Sequence, residues 1–126
     1  MVFDEKNSTI SMAEGEKIME NQILYWKTEM RKNIILEYYM ITEEISAYYS
    51  TLKSYGVKIS KIKITDGGGK VIESKQINNI FYRKEDAEVF LDIIMRNTVT
   101  PISLMDVTED YIAESFERAS QVTYSL

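Results

Sequence analysis

The chain has 126 residues, 44% of them hydrophobic and 28% charged, which suits one domain built around one hydrophobic core. It contains no cysteine and no histidine, so composition excludes disulfides, thiolate nucleophiles, Cys/His zinc sites and Ser-His-Asp triads. Carboxylate chemistry is what remains: oxygen ligands for magnesium or calcium, or an Asp/Glu acid–base pair.

The net charge of −5 is unevenly spread. Residues 83–126 hold four basic and nine acidic side chains, which accounts for the whole imbalance. The middle of the chain carries Lys53, Lys58, Lys61, Lys63, Lys70 and Lys75. This layout predicts a dipolar molecule with a lysine-rich sheet and an acidic helical end, a matter of solubility and steering rather than of fold. The longest apolar stretch, IILEYYMI, is broken by Glu37 and falls short of the roughly 20 residues of a membrane span. The opening MVFDEKN does not resemble the apolar core of a signal peptide, so a cytoplasmic protein without membrane association is expected.

Residues 1–10 read as disordered, followed by an extension over 11–33 and a core domain over 34–120. Ser11 with Glu14 matches a capping box. Met19, Ile23, Trp26 and Met30 recur at i, i+4, i+7 and i+11, the narrow seam of a helix buried on the chain's own sheet or in a homodimer. The competing reading is an extra strand over Gln22–Glu29, turned back at Arg31–Asn33. Ile34–Thr42 is rich in β-branched and aromatic residues and predicts a strand. Glu43–Lys53 reads as a loop or a short helical turn. Tyr55–Ile64 predicts a strand with Val57 and Ile59 on one face and Ile62 and Ile64 on the other, a phase break that a bulge near Ser60–Lys61 would explain. The run TDGGGK (65–70) lacks the GxxxxGK[ST] spacing and is followed by strand-like Val71–Ile80, so it predicts a hairpin turn and not a phosphate loop.

Over Arg83–Asn97, Ala87, Phe90, Leu91 and Ile94 follow helical spacing, and Val89, Ile93 and Met95 widen the apolar arc. A helix this apolar is expected to be covered on two sides, by the sheet and by a second helix. Thr100 and Pro101 mark the start of that second helix. On it, Leu104, Val107, Thr108, Tyr111, Ile112 and Ser115 share one face, and Asp106, Glu109, Asp110, Glu114 and Glu117 share the opposite one. Carboxylates along one convex ridge do not converge on a metal or across a cleft, so they predict a solvated or partner-binding face with no catalytic residue, metal or cofactor. The fold class expected is α+β: an antiparallel meander of about three strands, packed by two C-terminal helices, with an N-terminal helix or extra strand.

Tyr55-Gly56-Val57, followed by Val99-Thr100-Pro101, Leu104, Asp106-Val107 and Asp110-Tyr111, resembles the signature of an uncharacterised family of small bacterial proteins. The resemblance covers about residues 34–113. It implies an α+β domain with a meander and two helices, and it implies no activity.

Composition favours a non-enzymatic protein-interaction or regulatory module with a protein partner still to be identified. The alternative from another class is an acidic inhibitor that mimics nucleic acid on a nucleic-acid-binding protein. Direct nucleic-acid binding through Lys58, Lys61, Lys63 and Tyr55 runs against a pI near 4.8.

Overall fold

The computed structural model describes residues 21–47 and 50–125. Four strands, β1 (Gln22–Arg31), β2 (Ile34–Ala47), β3 (Ser50–Thr65) and β4 (Gly68–Phe81), are followed by helices α1 (Lys84–Arg96) and α2 (Leu104–Ser125). The strands pair in chain order, all antiparallel, as a meander with β1 and β4 at its edges. The fold is therefore the expected α+β class with four strands instead of about three. The N-terminal extension supplies the extra one.

Residues 22–31 form a strand, which overturns the helical seam over Ile23, Trp26 and Met30; Met19 lies outside the described residues. The cause of the misreading is local. The register with β2 slips at Tyr25 and again at Met30, so Ile23 pairs with Met40 and Trp26 with Tyr38, both on the side that faces the helices. The bulge at Tyr25 thus puts Ile23 and Trp26, three apart, on one face and imitates helical spacing. The turn at Lys32–Asn33 closes as expected, with Asn33 in the left-handed region at φ 67°.

Of the stretch expected to be a loop or helical turn, Glu43–Ala47 and Ser50–Lys53 are strand. β2 and β3 pair without a break from Ile34↔Lys63 to Ala47↔Ser50. The outer arm is held by cross-strand neighbours such as Glu44 opposite Lys53 and Ile45 opposite Leu52. The unbroken register also corrects the bulge expected on β3. The slip beside Lys61 and Ile62 lies between β3 and β4, and the extra residue is Ile72. The apolar positions of β3 truly change faces: Val57 and Ile59 point to the helices, Ile62 and Ile64 to the opposite face, which no helix covers among the described residues and which is called the uncovered face below. The glycine run makes the expected hairpin, with its turn at Asp66–Gly67 and Gly68 at φ 109°.

Leu36, Tyr38 and Met40 from β2, Val57 and Ile59 from β3, and Ala87, Phe90, Leu91 and Ile94 from α1 form the core, closed by Val99 and Leu104. The four α1 positions are those the sequence selects. Phe90 lies 5.7 Å from Phe81 and 4.8 Å from Tyr111 between ring centroids, so one aromatic cluster joins β4, α1 and α2. Gly56 sits where β4 crosses closely over β3: a Cβ there would run into the carbonyl oxygen of Ile77 and lie 2.8 Å from the Asn78 Cα. The glycine of the Tyr55-Gly56-Val57 motif is thus required by backbone approach.

α1 ends in a Schellman turn. The Val99 N–H donates to the Ile94 carbonyl and the Thr98 N–H to the Met95 carbonyl, with Thr98 at φ 51°. Thr100 and Pro101 then form a separate turn, and α2 begins at Leu104, three residues later than Pro101 suggests. No helix among the described residues is long and apolar enough to cross a membrane.

Candidate functional site

The surface of α2 divides into three zones. Leu104 and Thr108 are buried and Val107, Tyr111 and Ser115 half-buried, as the sequence places them. Asp106, Glu109, Asp110, Glu114 and Glu117 are all exposed on the far side. Ile112 departs from expectation, because it is exposed and belongs to a third zone with Met105 and Phe116. At about 100° per residue these three fall within about 40° of one another, between the buried face and the acidic ridge. Phe116 is 75% exposed, and Ile102, in the turn before the helix, is exposed to the same extent. Sequence reasoning missed this flank because it assigned apolar residues to the core by default. The 4- and 7-residue spacing of Met105, Ile112 and Phe116 was the available signal.

At the base of α2, Pro101, Ile102 and Met105 face Glu73, Ser74 and Lys75 of β4 across a cavity of about 330 Å³. Glu73 pairs with Lys61 at 3.6 Å beside it. A second cavity of about 310 Å³ lies on the helix side of the sheet between Ile23, Thr42, Lys53, Tyr55 and Lys84. Neither gathers paired carboxylates. Among the described residues no three acidic side chains are close enough to hold a metal ion.

The uncovered face of the sheet carries a linked polar group. The Tyr39 hydroxyl donates to Glu37 Oε1 at 2.5 Å, and Lys27 Nζ lies 3.7 Å from Glu37 Oε2. Lys58 Nζ donates to Gln22 Oε1 at 3.2 Å and lies 5.4 Å from the centre of the Tyr39 ring. Burial, then the hydrogen bond and charge of Glu37, pushes the Tyr39 hydroxyl up to about 12. Burial lowers the Lys58 ammonium, against the opposing pull of Glu37. Tyr39 therefore keeps its proton near neutral pH, and the group acts as a brace between β1, β2 and β3.

The lysines of β3 do not line up as a track. Lys58 opposes Tyr39 and points to the uncovered face, whereas Lys61 opposes Leu36 and Lys63 opposes Ile34 on the helix side. Lys61 is largely covered in its pair with Glu73.

Of the β1 residues singled out, Ile23 and Trp26 are 54% and 49% exposed and Met30 is exposed beside them. Leu24 and Tyr25 are exposed as well, so half of this edge strand is large, apolar and open.

A four-stranded antiparallel meander carrying two helices on one face, with exposed apolar and charged surfaces, defines a small α+β domain. The chain belongs to a family described as a family of unknown function (DUF6514), which it matches over residues 16–114. That match begins well before the stretch carrying the signature resemblance and takes in all of β1. It ends within α2, after Glu114 and before Phe116 and Glu117. No curated protein and no solved structure matches the chain.

Proposed function

We propose that this chain is a non-enzymatic interaction module whose contact surface is the outer side of α2. The observation that carries the reading is the exposed apolar flank Met105–Ile112–Phe116 running directly beside the carboxylates of Asp106, Glu109, Asp110, Glu114 and Glu117. An apolar strip with a charged border has the anatomy of a protein interface, in which desolvated side chains anchor and rim charges steer. The chemistry it fits is a protein with an apolar groove bordered by lysines or arginines. Met105, Ile112 and Phe116 lie side by side as one exposed apolar strip, and it is contiguous patches of this kind that mark interaction sites. The same feature separates this reading from nucleic-acid mimicry, because phosphate mimicry draws on the carboxylates and not on the apolar strip.

The test is capture of proteins from lysate by the tagged chain, compared among wild type, Phe116→Glu and the pair Asp110→Lys with Glu114→Lys. The reading expects a partner that both variants lose while their melting temperatures stay near wild type. Capture unchanged by both variants would refute it. Loss with the charge variant alone, together with competition by DNA, would favour the mimic.

A further inference from the structure

From the charge order along β1, we infer that its free edge pairs with the β1 of a second copy of the chain, antiparallel and centred on Thr28. This interface is independent of the α2 surface. β1 is an edge strand with no strand beside its outer side among the described residues, and it exposes Ile23, Leu24, Tyr25, Trp26 and Met30. Such an edge is a template for strand addition. The two bulges leave Trp26–Glu29 as its regular stretch. In an antiparallel pair, directly opposed residues point to the same face, so a symmetric contact must be centred on a residue and not between two.

Only four centres lie within this stretch. Centring on Lys27 sets the two lysines against each other, and centring on Glu29 does the same for the glutamates. Centring on Trp26 leaves Lys27 opposite Tyr25 and Glu29 opposite Ile23, with both charges unmatched. Centring on Thr28 places Lys27 opposite the partner's Glu29 twice, Trp26 opposite the partner's Met30 twice, and Thr28 opposite its own copy. Both charges of the regular stretch acquire a complement, and the open side chains of Trp26 and Met30 come together. The two-fold axis runs perpendicular to the sheet, so the helices of both copies lie on the same side and both α2 surfaces stay open. The result is one eight-stranded sheet.

The experiment is light scattering of the full chain for wild type, Glu29→Lys, Lys27→Glu and an equimolar mixture of the two variants. Each reversal opposes like charges twice in its homodimer, whereas the mixed pair restores opposite charges at both positions. Wild type is expected at twice the chain mass. Each variant alone is expected to dissociate at least about tenfold more readily, and the mixture to regain the doubled mass. Lys27 also pairs with Glu37, so Glu29→Lys is the cleaner of the two. A wild type of single-chain mass would overturn the inference, as would a Glu29→Lys chain that dimerises as wild type does, or a mixture of folded variants that fails to recover. Without any variant, Trp26 emission of wild type is expected to shift to the red on dilution, and an emission independent of concentration would contradict the contact.

Discussion

The Tyr38 hydroxyl, buried in β2, donates a 2.9 Å hydrogen bond to the main-chain carbonyl of Val99 between the two helices. Val99 is also the residue whose N–H closes the Schellman turn on Ile94. One tyrosine thus ties the sheet to the point where the chain leaves α1 for α2. Tyr38→Phe keeps the ring but leaves the buried carbonyl without its donor, at a cost of about 1–3 kcal/mol. Urea denaturation checks this, and a loss below about 0.5 kcal/mol would mean that the carbonyl finds another partner.

The same tyrosine sets an alkaline limit. Burial pushes its hydroxyl up to about 12 in the folded chain, against an ordinary 10.0. The unfolded chain therefore releases this proton first as pH rises. Its contribution is complete below pH 10 and is lost between pH 10 and 12. Tyr39, also raised to about 12, acts in the same sense. Stability measured across that window is expected to fall less steeply in Tyr38→Phe than in wild type.

Phe90 stands at the junction of β4, α1 and α2, fully buried against Phe81 and Tyr111. Phe90→Ala is expected to cost about 3–5 kcal/mol, enough to unfold a marginal domain. A variant melting within a degree or two of wild type would show that the cluster is not central.

Thr98 holds a left-handed conformation at the position where glycine is the usual residue, and its side chain is exposed. Thr98→Gly should relieve strain of about 1–2 kcal/mol, less the extra freedom glycine has when unfolded. A modest rise in melting temperature is expected. Gly56→Ala is the opposite case: the new methyl group meets the β4 backbone, and a loss of about 2–3 kcal/mol or more should follow.

The carboxylates of α2 lie along a ridge, and no acidic group of three converges among the described residues. Saturating calcium or magnesium is expected to leave the melting temperature almost unchanged, and a rise of many degrees would reveal a site formed elsewhere.

What the sequence made legible follows from which residues obey one period. α1 does so at its narrow face, and Ala87, Phe90, Leu91 and Ile94 could be assigned to the core from spacing alone, whereas Val89, also placed in the covered arc, is exposed. β1 obeys none, because its bulges at Tyr25 and Met30 break the alternation and its side chains are exposed on both faces. The pairing of β2 with β3 was hidden for another reason: the sequence from Ala47 to Ser50 contains no glycine, proline, asparagine or aspartate to signal a break between two strands. The acidic ridge was fully legible from the helical wheel. Its apolar neighbours were not, since a wheel shows that Ile112 and Met105 lie beside the core face but not where the sheet stops covering them. That boundary depends on which part of the α2 surface the rest of the fold covers, which is a tertiary property.

The outer side of α2 as a protein-contact surface is the central proposal. Photocrosslinking in the cells that make the protein tests this directly, with a photoreactive residue placed at Ile112 and, in a separate chain, at Val71 on the uncovered face of the sheet. A crosslinked adduct with another protein is expected from position 112 and none of the same mass from position 71. An adduct of equal yield from both positions, or none from position 112, would contradict it.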